Sequence, residues 1–169
     1  MGWTTPRTWV AGEYPTAAEL NAHLRDNLNA AFPLGGVDGA WISYTPTLTQ
    51  SGAVTKTVTY ARYTKIGRLV IVTFFLSVTG TGTGGQKITV SLPVTASQGA
   101  DTACGHGYVY DQSATTDYVG VMVLTTTTTF AFFPSNATSG SGYLGSQGFT
   151  AAFASGDIIG GTGMYESAS

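Results

Sequence analysis

Two periodicities divide the chain. Leu20, Leu24 and Leu28 recur four residues apart, flanked by Ala17 and Ala31, which is the spacing of one narrow apolar stripe on an α-helix. From Trp41 the period falls to two. Val58, Tyr60 and Arg62 alternate with Thr57, Thr59 and Ala61. In the run Leu69 to Val78, residues Val70, Val72, Phe74, Leu76 and Val78 line one face and Leu69, Ile71 and Phe75 the other, so this strand is expected to be central and covered on both sides. Ahead of the helix, Trp3 to Glu13 has neither period. With two tryptophans, Pro6 and Gly12, it reads as an extended arm whose aromatic rings need a partner surface.

The helix ends are marked by their own chemistry. Thr16 followed by Glu19 predicts a capping box, in which the hydroxyl accepts from the Glu19 amide and the carboxylate reaches back to the Thr16 amide. Phe32 and Pro33 stop it, and Gly35-Gly36 turns the chain. A helix of about 15 residues is marginal alone in water, so its three leucines must pack. They can meet the chain's own β-region, copies of themselves around a symmetry axis, or a socket on another protein.

Further strands are expected at Lys87 to Leu92, Cys104 to Tyr110, Tyr118 to Leu124, Thr127 to Phe133, Phe149 to Phe153 and Ile158 to Tyr165, with Gly, Ser, Asp and Pro between them and a long loop from Ser135 to Gly148. Short strands with no intervening helix predict a mainly β protein: an N-terminal extended arm and one α-helix followed by an antiparallel β-sandwich, jelly-roll-like by strand count. Residues 1–40 form the arm and helix, and residues 41–169 the β-domain.

Charge is scarce, and that narrows the classes of function. Only 9% of the 169 residues are charged, while 43% are hydrophobic and 12% aromatic; a soluble domain ordinarily carries about 25% charged residues. A net charge of −2 argues against a nucleic-acid partner, which needs a dense basic face. Cys104 is the single cysteine, so no internal disulfide can form and the fold suits a reducing cytosol. No secretory apolar run opens the chain, and the longest apolar stretch, Leu69 to Leu76, is too short to span a bilayer, so no membrane partner is expected. The sequon Asn136-Ala137-Thr138 is accordingly read as a chance match.

The motifs that could carry catalysis each lack a component. Gly80, Gly82 and Gly85 match G-x-G-x-x-G, but a strand follows where a nucleotide site needs a helix. Cys104 and His106 stand two apart on one strand, hence on one face, but no third ligand or partner is nearby in sequence. Asp101, Asp111, Asp117, Asp157 and Glu166 are scattered, where glycoside cleavage needs two carboxylates about 5 to 9.5 Å apart. No catalytic, cofactor or metal residues are therefore assigned. All seven Lys and Arg lie before residue 100, four of them between Lys56 and Arg68, while Asp101 to Ser169 carries five acids. That asymmetry fits either a solvated strand edge or a basic rim meeting the acidic region of a neighbouring subunit. Tyr108, Tyr110, Tyr118 and Tyr143 lie near strand ends or in the long loop and are candidate glycan contacts, a ring face against the sugar and a hydroxyl to its oxygens.

Two stretches resemble a known family. Thr5-Pro6-Arg7-Thr8-Trp9-Val10-Ala11-Gly12-Glu13, continuing into Pro15-Thr16-Ala17-Ala18-Glu19-Leu20-Asn21 and His23-Leu24-Arg25-Asp26-Asn27-Leu28-Asn29, resembles the N-terminal segment of minor tail and fibre proteins of phages that infect actinobacteria. Tyr44-Thr45-Pro46-Thr47, Tyr63-Thr64-Lys65-Ile66-Gly67-Arg68, Ser91-Leu92-Pro93-Val94-Thr95 and Ala154-Ser155-Gly156-Asp157 with Tyr165-Glu166 resemble the β-rich tips of the same proteins. The resemblance implies a non-enzymatic virion component, a homotrimer assembled in the host bacterial cytoplasm. Its N-terminal segment would bind other virion proteins of tail or capsid, and its tip would face outward, where a host cell-surface glycan is the candidate ligand. On that basis Trp3, Pro6, Arg7 and Trp9 are the expected virion-attachment residues, and Leu20, Leu24 and Leu28 the trimer packing of the helix. One departure matters: only Phe32 to Ala40 separates helix from tip, where larger fibres carry a long shaft. A capsid decoration or head fibre is therefore the alternative, and a glycan depolymerase a further one.

Overall fold

The computed structural model describes residues 4–31, 41–99, 102–134 and 151–169. The helical segment runs as α1 (Ala17–Leu20), a π-helical turn (Asn21–Arg25) and α2 (Asp26–Ala31). The capping box forms as the sequence predicts, with the Thr16 hydroxyl accepting from the Glu19 amide and the Glu19 carboxylate accepting from the Thr16 amide. In the π turn the Asp26 amide donates to the Asn21 carbonyl, five residues back.

Among the described residues ten strands follow: β1 (Ile42–Ser43), β2 (Leu48–Gln50), β3 (Gly52–Ala53), β4 (Lys56–Ile66), β5 (Leu69–Val78), β6 (Ile88–Ser91), β7 (Thr102–Asp111), β8 (Thr116–Leu124), β9 (Thr129–Pro134) and β10 (Ile158–Glu166). All pair antiparallel in one continuous ladder, ordered β1-β4-β5-β10-β7-β8-β9-β6-β2-β3. This ladder cannot be flat. β3 ends one edge and β4 lies next to the other, about 38 Å away if strands are spaced about 4.8 Å apart. Yet only Val54 and Thr55 join them, a reach of about 11 Å. The sheet therefore curls back on itself, and its concave side encloses the core.

That core draws on both halves of the curl. Phe74 and Leu76 of β5, Ile159 of β10 and Met122 of β8 meet Phe130 and Phe132 of β9, Ile88 of β6 and Leu48 of β2, all fully buried. The seam is closed by hydrogen bonds. Thr79 and Gly80 donate from their amides to the Thr55 carbonyl, and the Tyr165 hydroxyl donates to the Val94 carbonyl at 2.7 Å. Gln50 is wholly buried, with its amide nitrogen donating to the Ala151 carbonyl and its amide oxygen accepting from the Phe153 amide, each at 2.9 Å. The segment leading into β10 is thus tied to β2.

Several expectations change. β5 alternates as predicted, but where the inward face is fully buried the outer face is only half-buried, and Leu69 there is 44% exposed. In β4 a bulge between Val58 and Tyr60 inserts one extra residue, so Val58 packs on the core while Tyr60 and Arg62 point outward. A second bulge, between Ala103 and Gly105, separates Cys104 from His106: the thiol packs on the core and donates to the Met122 carbonyl, while the imidazole lies on the outer face. Residues 151–153 of the expected strand Phe149 to Phe153 are not in a strand; 149 and 150 lie outside the described residues. The glycine motif serves packing. A side chain at Gly80 would strike the Thr55 hydroxyl and one at Gly82 the Gln50 amide, while Gly85 takes a positive φ of 71° in a turn.

Candidate functional site

Two regions present chemistry to the surroundings, and the first is the arm on its helix. The arm runs back along the helix. Asn27, buried, pairs its side-chain amide with the Thr4 backbone in both directions, accepting from the Thr4 amide and donating to the Thr4 carbonyl at 2.8 Å each. Arg7 forms ion pairs with Glu13 and Glu19 and places its guanidinium 4.8 Å from the centre of the Trp9 ring. Trp9 in turn meets His23 edge to face at 6.1 Å. A turn at Val10 to Glu13, with Gly12 at a φ of 86°, redirects the chain toward the capping box. The Glu19 carboxyl is held below its ordinary range, chiefly by its bonds to Thr16, so it stays ionised for Arg7.

This arrangement gives the arm partners of its own and leaves the helix stripe uncovered. The arm's aromatic ring and its cation find partners within the same chain, although Trp9 remains 37% exposed and Pro6 is exposed. Trp3 lies outside the described residues. The leucine stripe is on the surface: Leu20, Leu24 and Leu28 are 39%, 52% and 59% exposed. The β-region therefore does not cover it. In an uninterrupted α-helix, side chains four apart precess by about 40°, so Leu28 would sit about 80° round from Leu20. The wider π turn between them opposes that drift and draws the three leucines toward one line.

The second region is the outer face of the sheet. The register aligns Tyr60, Phe75, Gly160, Tyr108 and Val119 in one rung across β4, β5, β10, β7 and β8. The next rung holds Arg62, Thr73, Thr162, His106 and Val121. Tyr60 stacks on Phe75 at 5.9 Å, and Phe75 meets Tyr108 at 6.3 Å. Gly160 makes that contact possible, because a Cβ there would lie 2.8 Å from the Tyr108 ring. Beside the aromatic rung an open groove of about 520 Å³ is floored by Gly161 and bordered by Thr73, Thr162, His106 and Asp117. The Thr162 hydroxyl donates to Thr73 at 3.3 Å. Burial first, then the Tyr60 hydroxyl and the Asp117 carboxylate, push the Tyr108 phenol up, so it keeps its proton. Arg62 lies over both the Trp41 and Tyr60 rings, at 5.1 and 5.6 Å.

Of the four tyrosines singled out from sequence, Tyr108 lines this groove. Tyr110 is half-buried one rung away, opposite Ile158; Tyr118 turns to the core; Tyr143 lies outside the described residues. Tyr60 was missed because the bulge that turns it outward leaves no mark in the alternation, and Phe75, Thr73 and Thr162 because nothing in the sequence reveals that β10 lies between β5 and β7. The groups that suggested catalysis are differently engaged. Burial pushes the Cys104 thiol up to about 11, which leaves little thiolate at neutral pH. Asp111 accepts from the Ser113 and Ala114 amides, and Asp157 from the Gln112 and Ala154 amides, so both brace turns. Among the described residues no group of three His, Cys, Asp or Glu is placed to hold a metal ion, and no helix is long and apolar enough to cross a membrane. Comparison with protein-family models, with curated proteins and with solved structures finds no match to this chain.

Proposed function

We propose that this chain is a non-enzymatic structural appendage of a bacteriophage virion, a fibre or minor tail protein assembled as a homotrimer in the host cytoplasm. Its arm and helix attach it to other virion proteins, and its curled sheet serves as a sandwich-like, jelly-roll-type tip displayed outward for host attachment. The observation that carries this reading is the helix, whose arm is clasped to it through Asn27 and Arg7 while Leu20, Leu24 and Leu28 stay exposed in one row. A short helix with an unburied leucine row is stabilised by meeting its own copies around a three-fold axis. The resemblance of residues 5–29 to phage attachment segments supports the same assignment. A nine-residue link, 32–40, holds the tip near the particle, which favours a head fibre or capsid decoration as the second reading.

The test is Leu24→Asp in the full chain. Light scattering after gel filtration should show a trimer for the parent and a monomer for the variant, with near-ultraviolet circular dichroism of the sheet unchanged. A variant that stays trimeric and enters particles normally refutes the assembly. Tag labelling of particles then separates the tail tip from the capsid surface.

A further inference from the structure

The outer-face groove has the make-up of a ligand site. Its volume of about 520 Å³ falls within the range of small-molecule pockets, about 300 to 1,000 Å³. One wall is aromatic, formed by Phe75 and Tyr108, which lean together over Gly160. The other border is uncharged and hydrogen-bonding, formed by Thr73 and Thr162, with His106 beside them and Asp117 at the rim. Thr73 accepts the Thr162 bond and retains its own O–H to donate, and the His106 ring adds nitrogen atoms for hydrogen bonding. Such a border suits a ligand that carries many hydroxyls and one flat apolar face.

The alternatives fit less well. A nucleotide would also stack on the rings, but its phosphates need cations, and the cation nearest the groove, Arg62, is spread over the Trp41 and Tyr60 rings while Asp117 repels anions. A second copy of the chain would bury the exposed Val119 and Val121 at the β8 end of this face, whereas the groove itself, between β5 and β7, is bordered by two hydroxyls and an imidazole.

We infer that this groove binds a neutral pyranose of an oligosaccharide, with the sugar's C–H face against Tyr108 and Phe75 and its hydroxyls bonded to Thr73, Thr162 and His106. This deepens the outward-display reading, on which its biological role rests, but the groove itself needs one protomer only. The Tyr108 hydroxyl, kept protonated, adds a donor at the edge of the stacked ring.

The experiment is a nuclear magnetic resonance titration of the full chain with cellotriose, maltotriose, mannotriose and chitotriose. At least one trisaccharide should give saturable shifts at Thr73, Thr162 and Gly160 with a dissociation constant in the millimolar range or tighter. Tyr108→Ala should weaken that binding at least tenfold and Thr162→Val about fivefold, each with an unchanged melting temperature. Gly160→Ala, which displaces the Tyr108 ring, supplies a further variant with the same expected loss. Absence of saturable shifts with all four sugars, or binding indifferent to Tyr108→Ala and Thr162→Val, overturns the inference. So does Val119→Asp dissociating an oligomer, since the face would then be a contact between copies. The titration is repeated on Leu24→Asp: sugar binding by that monomer sustains the groove even if the assembly reading has failed, and a trimer without sugar binding does the reverse.

Discussion

Gln50→Glu tests the closure of the curled sheet with a change of one atom. Gln50 has no exposed surface, and it uses both ends of its amide, donating to the Ala151 carbonyl and accepting from the Phe153 amide. A protonated carboxyl can reproduce both bonds, but a carboxylate cannot donate to Ala151 and is costly to bury. The folded state therefore raises the pKa of the new carboxyl above its unfolded value of about 4.3. Stability in such a case is retained below the unfolded pKa and lost as pH rises toward the folded one. If the carboxyl stays neutral when folded at pH 7, the loss is about 1.4 kcal/mol per unit over roughly 2.7 units, or about 3.7 kcal/mol. For a domain of this size that lowers Tm by roughly 10 to 20 °C. Thermal unfolding followed by circular dichroism at pH 4 and pH 7 reads the difference, with variant and parent close at pH 4 and far apart at pH 7. An equal gap at both pH values would refute the placement of Gln50 inside the seam.

Four other outcomes follow from the same structure. Asn27→Ala removes the pairing with Thr4 and should free the arm at a cost of about 1 to 3 kcal/mol to the clasp, seen as faster amide exchange at Thr4 and a shift in tryptophan emission. Thr115, a β-branched residue at a φ of 51°, sits in the turn between β7 and β8, so Thr115→Gly should raise stability by about 1 kcal/mol in urea titration. The Cys104 thiol, pushed up to about 11 by burial, should resist alkylation at pH 8 in the folded chain and react quickly once unfolded; because its folded pKa is raised, its contribution to stability falls as pH climbs past 9. Asp111 is held below its ordinary range, chiefly by the Ser113 hydroxyl, so the turn it braces should lose stability as pH falls below about 4, a loss that Asp111→Ala abolishes along with part of the parent's stability.

The elements legible in the sequence were those set by local chemistry. Thr16 and Glu19 announced the helix start, and the alternation of Val70 to Val78 announced the inward face of β5. The curl was not legible, because it follows from which strands pair across the chain, such as β10 between β5 and β7. The π turn at Asn21–Arg25 was also hidden, since leucines four apart read alike in either helix. The candidate site suffered most. Alternation carried past Thr59 puts Tyr60 and Val58 on one face, and one inserted residue reverses it for Tyr60. The same error of parity joined Cys104 to His106.

Those irregularities converge on one place. Without the extra residue at the β4 bulge, Tyr60 would share the inward face of Val58 and Phe75 would lose its stacking neighbour. With any side chain at Gly160, Phe75 and Tyr108 could not close over β10. Gly160 adds nothing to the core, while the bulge also turns Ala61 and Tyr63 onto it. Burial of Phe74, Ile159 and Val109 on the inward side needs only regular alternation in β5, β10 and β7. A bulge interrupts the ladder, and a strand glycine weakens it by about 0.5 to 1 kcal/mol relative to alanine. Because the bulge and the glycine together also assemble one solvent-facing row of rings beside a hydroxyl-bearing rung, the groove on β5, β10 and β7 is the first place to look for a ligand.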